Sequence, residues 1–203
     1  LTSRCMPPFL SRLLPWTGAI AAGVFTCAVL GFGLALSGYS QVWHPVAVLG
    51  AKGVPHAFGF NVAGFVLAGL LAAVVALDLR HRLPVDAGWT ARVGAQFLLL
   101  SALGFVGLGV LPLDPDDLHN DASSLHATAW LLWWVAFVPG AVLFAVGMRA
   151  RSGWRPAVIA SGVAAAIVLF SALVAVALMP AGIAQRLGYA AWLLWLCVAA
   201  WRK

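Results

Sequence analysis

The chain has 203 residues, of which 63% are hydrophobic and only 9% charged, with a formal net charge of +6. A soluble domain carries about 25% charged residues, so this surface cannot be built for water, and lipid is its outer solvent. The 12 Lys and Arg come as pairs and triples between apolar runs rather than as one patch, which excludes nucleic acid as the expected partner and instead suits orientation in a bilayer.

Six runs are long enough to cross a hydrocarbon core as helices. Arg4 and Arg12 precede the first, Thr17–Leu36. Its length exceeds that of a signal peptide core and no distinctive cleavage pattern follows, so it reads as a retained first helix. A loop from Ser37 to Ala57 follows, with Pro45 and Pro55 bracketing an apolar segment too short to span. A short interfacial helix or a shallow re-entrant turn is expected there. The second span is Phe58–Leu77, and Asn61 lies near its start. An amide at that depth faces the bundle interior, either as a bond to a neighbouring helix or as a contact to a ligand or water.

The third span is Thr90–Leu111, followed by LPLDPDDLHNDASSLHATAW. Asp114 before Pro115 predicts a helix start, with Asp114 as N-cap and Asp116 and Asp117 in the first turn. On a helix from Pro115, His119 and His126 would face one side, about 10.5 Å apart along the axis. That is too far for both to hold one metal without a break. The fourth span is Leu125–Met148, with Pro139 expected to kink it and Trp130 and Trp134 sharing a face. Those two tryptophans either line a groove or pack. The fifth span is Pro156–Met179 and the sixth Gly182–Trp201. The runs are apolar on every face and far longer than barrel strands. The fold class is therefore all-α: a polytopic bundle of six transmembrane helices, forming one domain over residues 1–203.

Orientation follows from Lys and Arg. Arg4, Arg12, Arg80, Arg82, Arg92, Arg149, Arg151, Arg155, Arg202 and Lys203 fall on one side, and Lys52 and Arg186 on the other. This places both termini in the cytoplasm. The expected location is the cytoplasmic (inner) membrane of a prokaryote. Cys5, Cys27 and Cys197 form no CxxC, so neither a disulfide framework nor a cluster site is indicated.

Four of the five histidines fall in or beside the two long outer loops. His44, Asn61, Asp114, His119 and His126 are the candidate ligand-binding or acid–base residues. His44, Asp114, His119 and His126 also form a candidate set for a divalent metal such as zinc, which wants imidazole and carboxylate with an open position. Haem is the weaker cofactor candidate, needing His56 and His126 to meet, and no CxxCH is present. The spans hold few ionisable groups, which disfavours coupled transport.

The segments HPVAVLG (His44–Gly50), FNVAGF with Asn61 and Gly64, LPLD ending at Asp114 and followed by His119 and His126, and GIAQRLG (Gly182–Gly188) carry a resemblance over nearly the whole chain. It resembles a prokaryotic six-span membrane family of unknown function, distantly grouped with the damage-regulated autophagy modulator type. In that family a serine often stands before the His-Pro pair, where this chain has Trp43, and an aromatic residue stands at the position of Leu111. The resemblance implies the fold and topology and no activity.

Three functions remain open on these residues. The first is an accessory or complex-forming subunit with a polar ligand site at the outer face, in contact with membrane lipids and another membrane protein. The second is a metal-assisted hydrolase or transferase acting on a lipid-linked substrate there. The third is a lipid or small-molecule binder without chemistry.

Overall fold

The computed structural model describes residues 13–201. Arg4, Cys5, Arg12, Arg202 and Lys203 lie outside that range. Six helices are long and apolar enough to cross a membrane: α1 (Leu14–Ala35), α2 (Ala57–Arg82), α3 (Trp89–Val110), α4 (Asp121–Met148), α5 (Ser152–Leu178) and α6 (Ala181–Ala200). Each packs against its neighbours in sequence, and α6 returns to α1, so the helices form a closed ring. The fold is an all-α six-helix membrane bundle. Large apolar side chains such as Leu30, Val74, Leu100, Val142, Val163 and Leu194 are exposed on the outside of the ring, as lipid-facing residues should be.

The middle of the ring is filled with aromatic rings. Phe105 of α3 is the hub, with ring centroids 5.6 Å from Phe25, 5.5 Å from Phe65, 6.0 Å from Trp133, 5.5 Å from Tyr189 and 4.4 Å from Trp192. These residues come from five different helices, and their tilted and edge-on geometries suit aromatic quadrupoles. Glycines let the surrounding backbones close in. A Cβ at Gly94 would lie 2.8 Å from the Gly140 carbonyl oxygen, and one at Gly104 would lie 2.8 Å from the Trp133 nitrogen. Packing rather than burial of charge holds such an interface together.

The connections 36–56, 111–120 and 179–180 gather at one end, called here the His/Asp face. Lys52 N donates to Leu113 O at 2.8 Å, and Val46 N donates to Gln185 Oε1 at 2.6 Å. The opposite end is the arginine face, where Arg151 meets Asp86 at 2.6 Å and the Trp16 and Trp201 rings meet edge-on at 6.1 Å.

Two departures from the sequence expectation have local causes. The second helix runs a turn further than Leu77, to Arg82. Asp78 and Arg82 form an i,i+4 pair at 2.7 Å, and the basic residues of the last turn face the negative end of the helix dipole. The fourth helix starts at Asp121, not at Pro115. Asn120 is the N-cap, accepting from Ser123 N at 2.9 Å, and Asp114 is not. Its carboxylate instead accepts from Asp116 N at 3.3 Å, and Asp117 accepts from His119 N at 2.9 Å. Such local Asx bonds compete with the helix. His119 therefore stands in a loop, and the two-turn spacing to His126 does not exist. Helix α4 continues through Pro139. The first loop does tuck in, as a 3₁₀ turn at Val46–Gly50 with Val46, Ala47, Leu49 and Gly50 buried.

Candidate functional site

The five residues singled out from sequence all lie at or near the His/Asp face, but in separate networks. Asp114 belongs to a knot that closes the α3–α4 loop. Its carboxylate accepts from Asn120 Nδ2 at 3.0 Å and pairs with Lys52 Nζ at 3.4 Å. The Asn120 hydrogen bond, then Lys52, holds the carboxyl below the usual carboxylate range. Ser123, buried, accepts from Asp114 N at 3.2 Å, and its oxygen lies 3.1 Å from Asp114 O and 2.8 Å from Asp117 O. His126 is buried, with Nδ1 2.7 Å from Leu111 O. A carbonyl can only accept, so Nδ1 carries the proton in this contact. His119 is exposed in the loop.

Asn61 is buried and donates from Nδ2 to Gly50 O at 2.9 Å. That bond fixes the first loop to α2 and explains the glycine, because a Cβ at position 50 would sit 1.9 Å from Asn61 Oδ1. Among the described residues Oδ1 itself has no hydrogen-bond partner. The amide opens a π-helical segment, Asn61–Leu67. The Trp130 and Trp134 rings meet edge-on at 6.0 Å. Trp130 and Trp133, with Ser171 and Gln185, border a small cavity of about 120 Å³.

His44 belongs to a third network. Its Nδ1 accepts from Ser40 N at 2.9 Å, and its ring lies 5.6 Å from that of Tyr39. Its carbonyl oxygen accepts from Arg186 Nη1 at 3.0 Å. Among the described residues, no three His, Cys, Asp or Glu side chains gather as a group that could hold a metal ion. His44 is thus committed to the α6 side, Asp114 and His126 to the α3–α4 side.

The centre absent from the candidate site residues is Arg186, which enters the sequence reading as a topology charge and as part of the GIAQRLG segment. It lies within α6, and among the described residues no acid pairs with it: the ion pairs there are Lys52–Asp114, Arg82–Asp78 and Arg151–Asp86. Neutral oxygens solvate it instead. Nε and Nη2 donate to Gln41 Oε1, Nη1 donates to His44 O at 3.0 Å and Gly182 O at 2.9 Å, and Nη2 donates to Tyr39 Oη at 2.6 Å. All five N–H groups are used. The guanidinium also sits 5.8 Å from the Tyr39 ring centre, within cation–π range. Gln41 is held in turn by its Nε2, which donates to Val29 O of α1 at 3.1 Å. Burial raises the Tyr39 hydroxyl above its ordinary value, with the Arg186 charge and hydrogen bond opposing.

This cation borders a cleft of about 250 Å³ at the seam between α1 and α6. Phe25, Val29, Leu30 and Leu193 give it apolar walls, and Thr26, Gln41, Arg186 and Tyr189 give it polar ones. Chemically this is a fixed, uncancelled positive charge beside an apolar slot. The signal in the sequence was an arginine inside an apolar run, which in a membrane marks a functional position by default.

No curated protein and no solved structure matches the chain. The family described as protein of unknown function (DUF998) matches over residues 19–202, which is nearly the whole bundle, all six helices included, and the chain belongs to that family.

Proposed function

We propose that the protein is a membrane-embedded binding protein, an accessory or complex-forming subunit, whose ligand is anionic and enters the α1–α6 cleft at the His/Asp face. The chain sits in a prokaryotic cytoplasmic membrane with its arginine face inward, as the Lys and Arg bias favours. The observation that carries the reading is Arg186. Its charge is solvated by neutral oxygens and left uncancelled, and it faces a cleft with apolar walls. An anion supplies what the protein withholds. Binding without chemistry is favoured over the metal-assisted hydrolase or transferase because His44 and Asp114 are held in different networks.

The test uses purified protein in an uncharged detergent, with thermal unfolding followed as decyl phosphate or decyl maltoside is added. Ligand bound only by the folded state stabilises it by RT ln(1 + [L]/Kd), about 2.7 kcal/mol at a hundredfold excess over Kd. Decyl phosphate stabilises the protein well beyond decyl maltoside, and Arg186→Gln removes the difference. Equal effects of the two amphiphiles on the wild-type chain would refute the proposal.

A further inference from the structure

We infer that the cleft takes an amphiphile with a single apolar chain and an oxyanion head, and that the Tyr189 hydroxyl is the donor that recognises the head. This rests on the binding role proposed above and narrows its ligand class.

The chain number follows from the shape of the seam. Near the arginine face α1 and α6 touch backbone to backbone: a Cβ at Gly18 would meet Leu196 O at 2.2 Å and Cys197 N at 2.8 Å. Toward the His/Asp face the helices diverge, and the space between them is the cleft lined by Phe25, Val29, Leu30 and Leu193. It is a wedge closed at its deep end. From Arg186 to Leu193 is seven residues, about 10.5 Å along the helix axis. A volume of about 250 Å³ lies below the range of about 300–1,000 Å³ for drug-sized ligands. One chain segment and one small head fill that space, and a second chain would lie outside its walls without the contacts that α1 and α6 give the first.

The head group follows from the donors. Tyr189 is 1% exposed, its ring held by Phe25 at 5.4 Å and Trp133 at 4.8 Å. Among the described residues its hydroxyl makes no hydrogen bond, yet Tyr189 borders the cleft. The hydroxyl is not among the fully enclosed unpaired polar atoms of the described residues, so on a side chain otherwise buried it is the part open to the cleft, where a ligand can pair it. Tyr189 stands three residues after Arg186, on the same face of α6. Arg186 has no N–H left to give, so it contributes charge, while Tyr189 contributes the directed bond. Thr26 adds a second hydroxyl from the α1 wall. A group that only accepts and carries negative charge satisfies all three: a carboxylate or a phosphate monoester.

Equilibrium binding to detergent-solubilised protein tests this with decanoate, decyl phosphate, didecanoyl phosphatidate and decyl maltoside as probes, on the wild-type chain and Tyr189→Phe. The substitution removes only the unpaired hydroxyl, so the fold is retained. A single-chain anion binds the wild-type protein, phosphatidate binds no better than decyl maltoside, and Tyr189→Phe weakens the single-chain anion about tenfold or more, as loss of a hydrogen bond to a charged group does. The tighter of decanoate and decyl phosphate identifies the head as carboxylate or phosphate. Phosphatidate binding as tightly as decyl phosphate, or an unchanged affinity in Tyr189→Phe, overturns this inference while leaving the anion-binding role intact. A wild-type protein that does not distinguish decyl phosphate from decyl maltoside overturns both.

Discussion

Replacing Gly18 with alanine should loosen the seam that closes the cleft. The added Cβ would lie 2.2 Å from the Leu196 oxygen, 2.5 Å from its carbonyl carbon and 2.8 Å from the Cys197 nitrogen. All three are backbone atoms, so no side-chain rotation relieves the contact and the helices must part. Overpacking of this kind costs about 1–3 kcal/mol. Alanine also gains about 0.5–1 kcal/mol over glycine in a helix, which blurs the effect of a single variant. Gly23 supplies the control, because it lies on the same helix and a Cβ there meets nothing within 4 Å. Both variants share the propensity gain, so the difference between them is the packing cost alone. Thermal unfolding in an uncharged detergent measures it. At about 2–4 °C per kcal/mol for a chain of this size, Gly18→Ala melts several degrees below Gly23→Ala. Coincident melting of the two would show that α1 and α6 do not meet at Gly18, and the wedge shape of the cleft would fall with that contact.

Three further outcomes follow from particular contacts. The Tyr39 hydroxyl is raised above its ordinary value in the folded chain, so the unfolded chain ionises first and stability falls as pH rises past about 10. Tyr39→Phe flattens that alkaline slope in pH-dependent melts. Asn120→Ala removes the N-cap bond to Ser123 and the leading hydrogen bond on Asp114, costing about 1 kcal/mol and speeding hydrogen exchange over residues 111–123. In that variant the Asp114 carboxyl also titrates closer to its ordinary value, so the stability it lends above that value is smaller, and NMR titration of the side chain reads the shift. In a chain freed of Cys5, Cys27 and Cys197, single cysteines at the exposed positions 85 and 118 react with impermeant thiol reagents from opposite sides of the membrane, and labelling of position 118 from outside would support the proposed orientation. Labelling of both from one side contradicts the ring topology.

What the sequence disclosed and what it hid divide along physical lines. Length and unbroken apolarity suffice to locate a span, because a helix in lipid must satisfy its own backbone, and all six appear within a few residues of expectation, save the added turn of α2 and the longer starts of α4 and α5. The start of α4 is ambiguous in sequence because Asp114-Pro115 and Asn120-Asp121 are both good cap signals, and the bonds of Ser123, its N–H to Asn120 and its hydroxyl to Asp114, decide between them only in the folded loop. The histidines drew attention as chemical groups, yet His126 and His44 are engaged by backbone groups brought near by tertiary packing. Arg186 was visible as a charge in an apolar run. Three of its four acceptors were not, since Tyr39, Gln41 and His44 are about 140 residues away in sequence, and no local pattern reports such a contact.

Two half-buried arginines at opposite ends of the bundle show what Arg186 is for. Arg82 is matched by Asp78 at 2.7 Å, so that pair presents almost no net field and serves the fold. Arg186 is solvated as fully by four neutral oxygens and keeps its charge. At an effective dielectric near 20, an anion about 4 Å from it gains roughly 4 kcal/mol of attraction, an energy no acid of the protein already claims. An acid placed at the cleft wall should therefore act as a built-in ligand. Ala190 is exposed there, four residues after Arg186 on the same face of α6. Ala190→Glu puts a carboxylate within reach of the guanidinium, and decyl phosphate binding is lost while thermal stability holds or rises. Ala190→Gln, of the same size without the charge, retains the preference for decyl phosphate over decyl maltoside. If the glutamate and glutamine variants bind decyl phosphate equally well, the uncancelled charge of Arg186 is not what draws the anion.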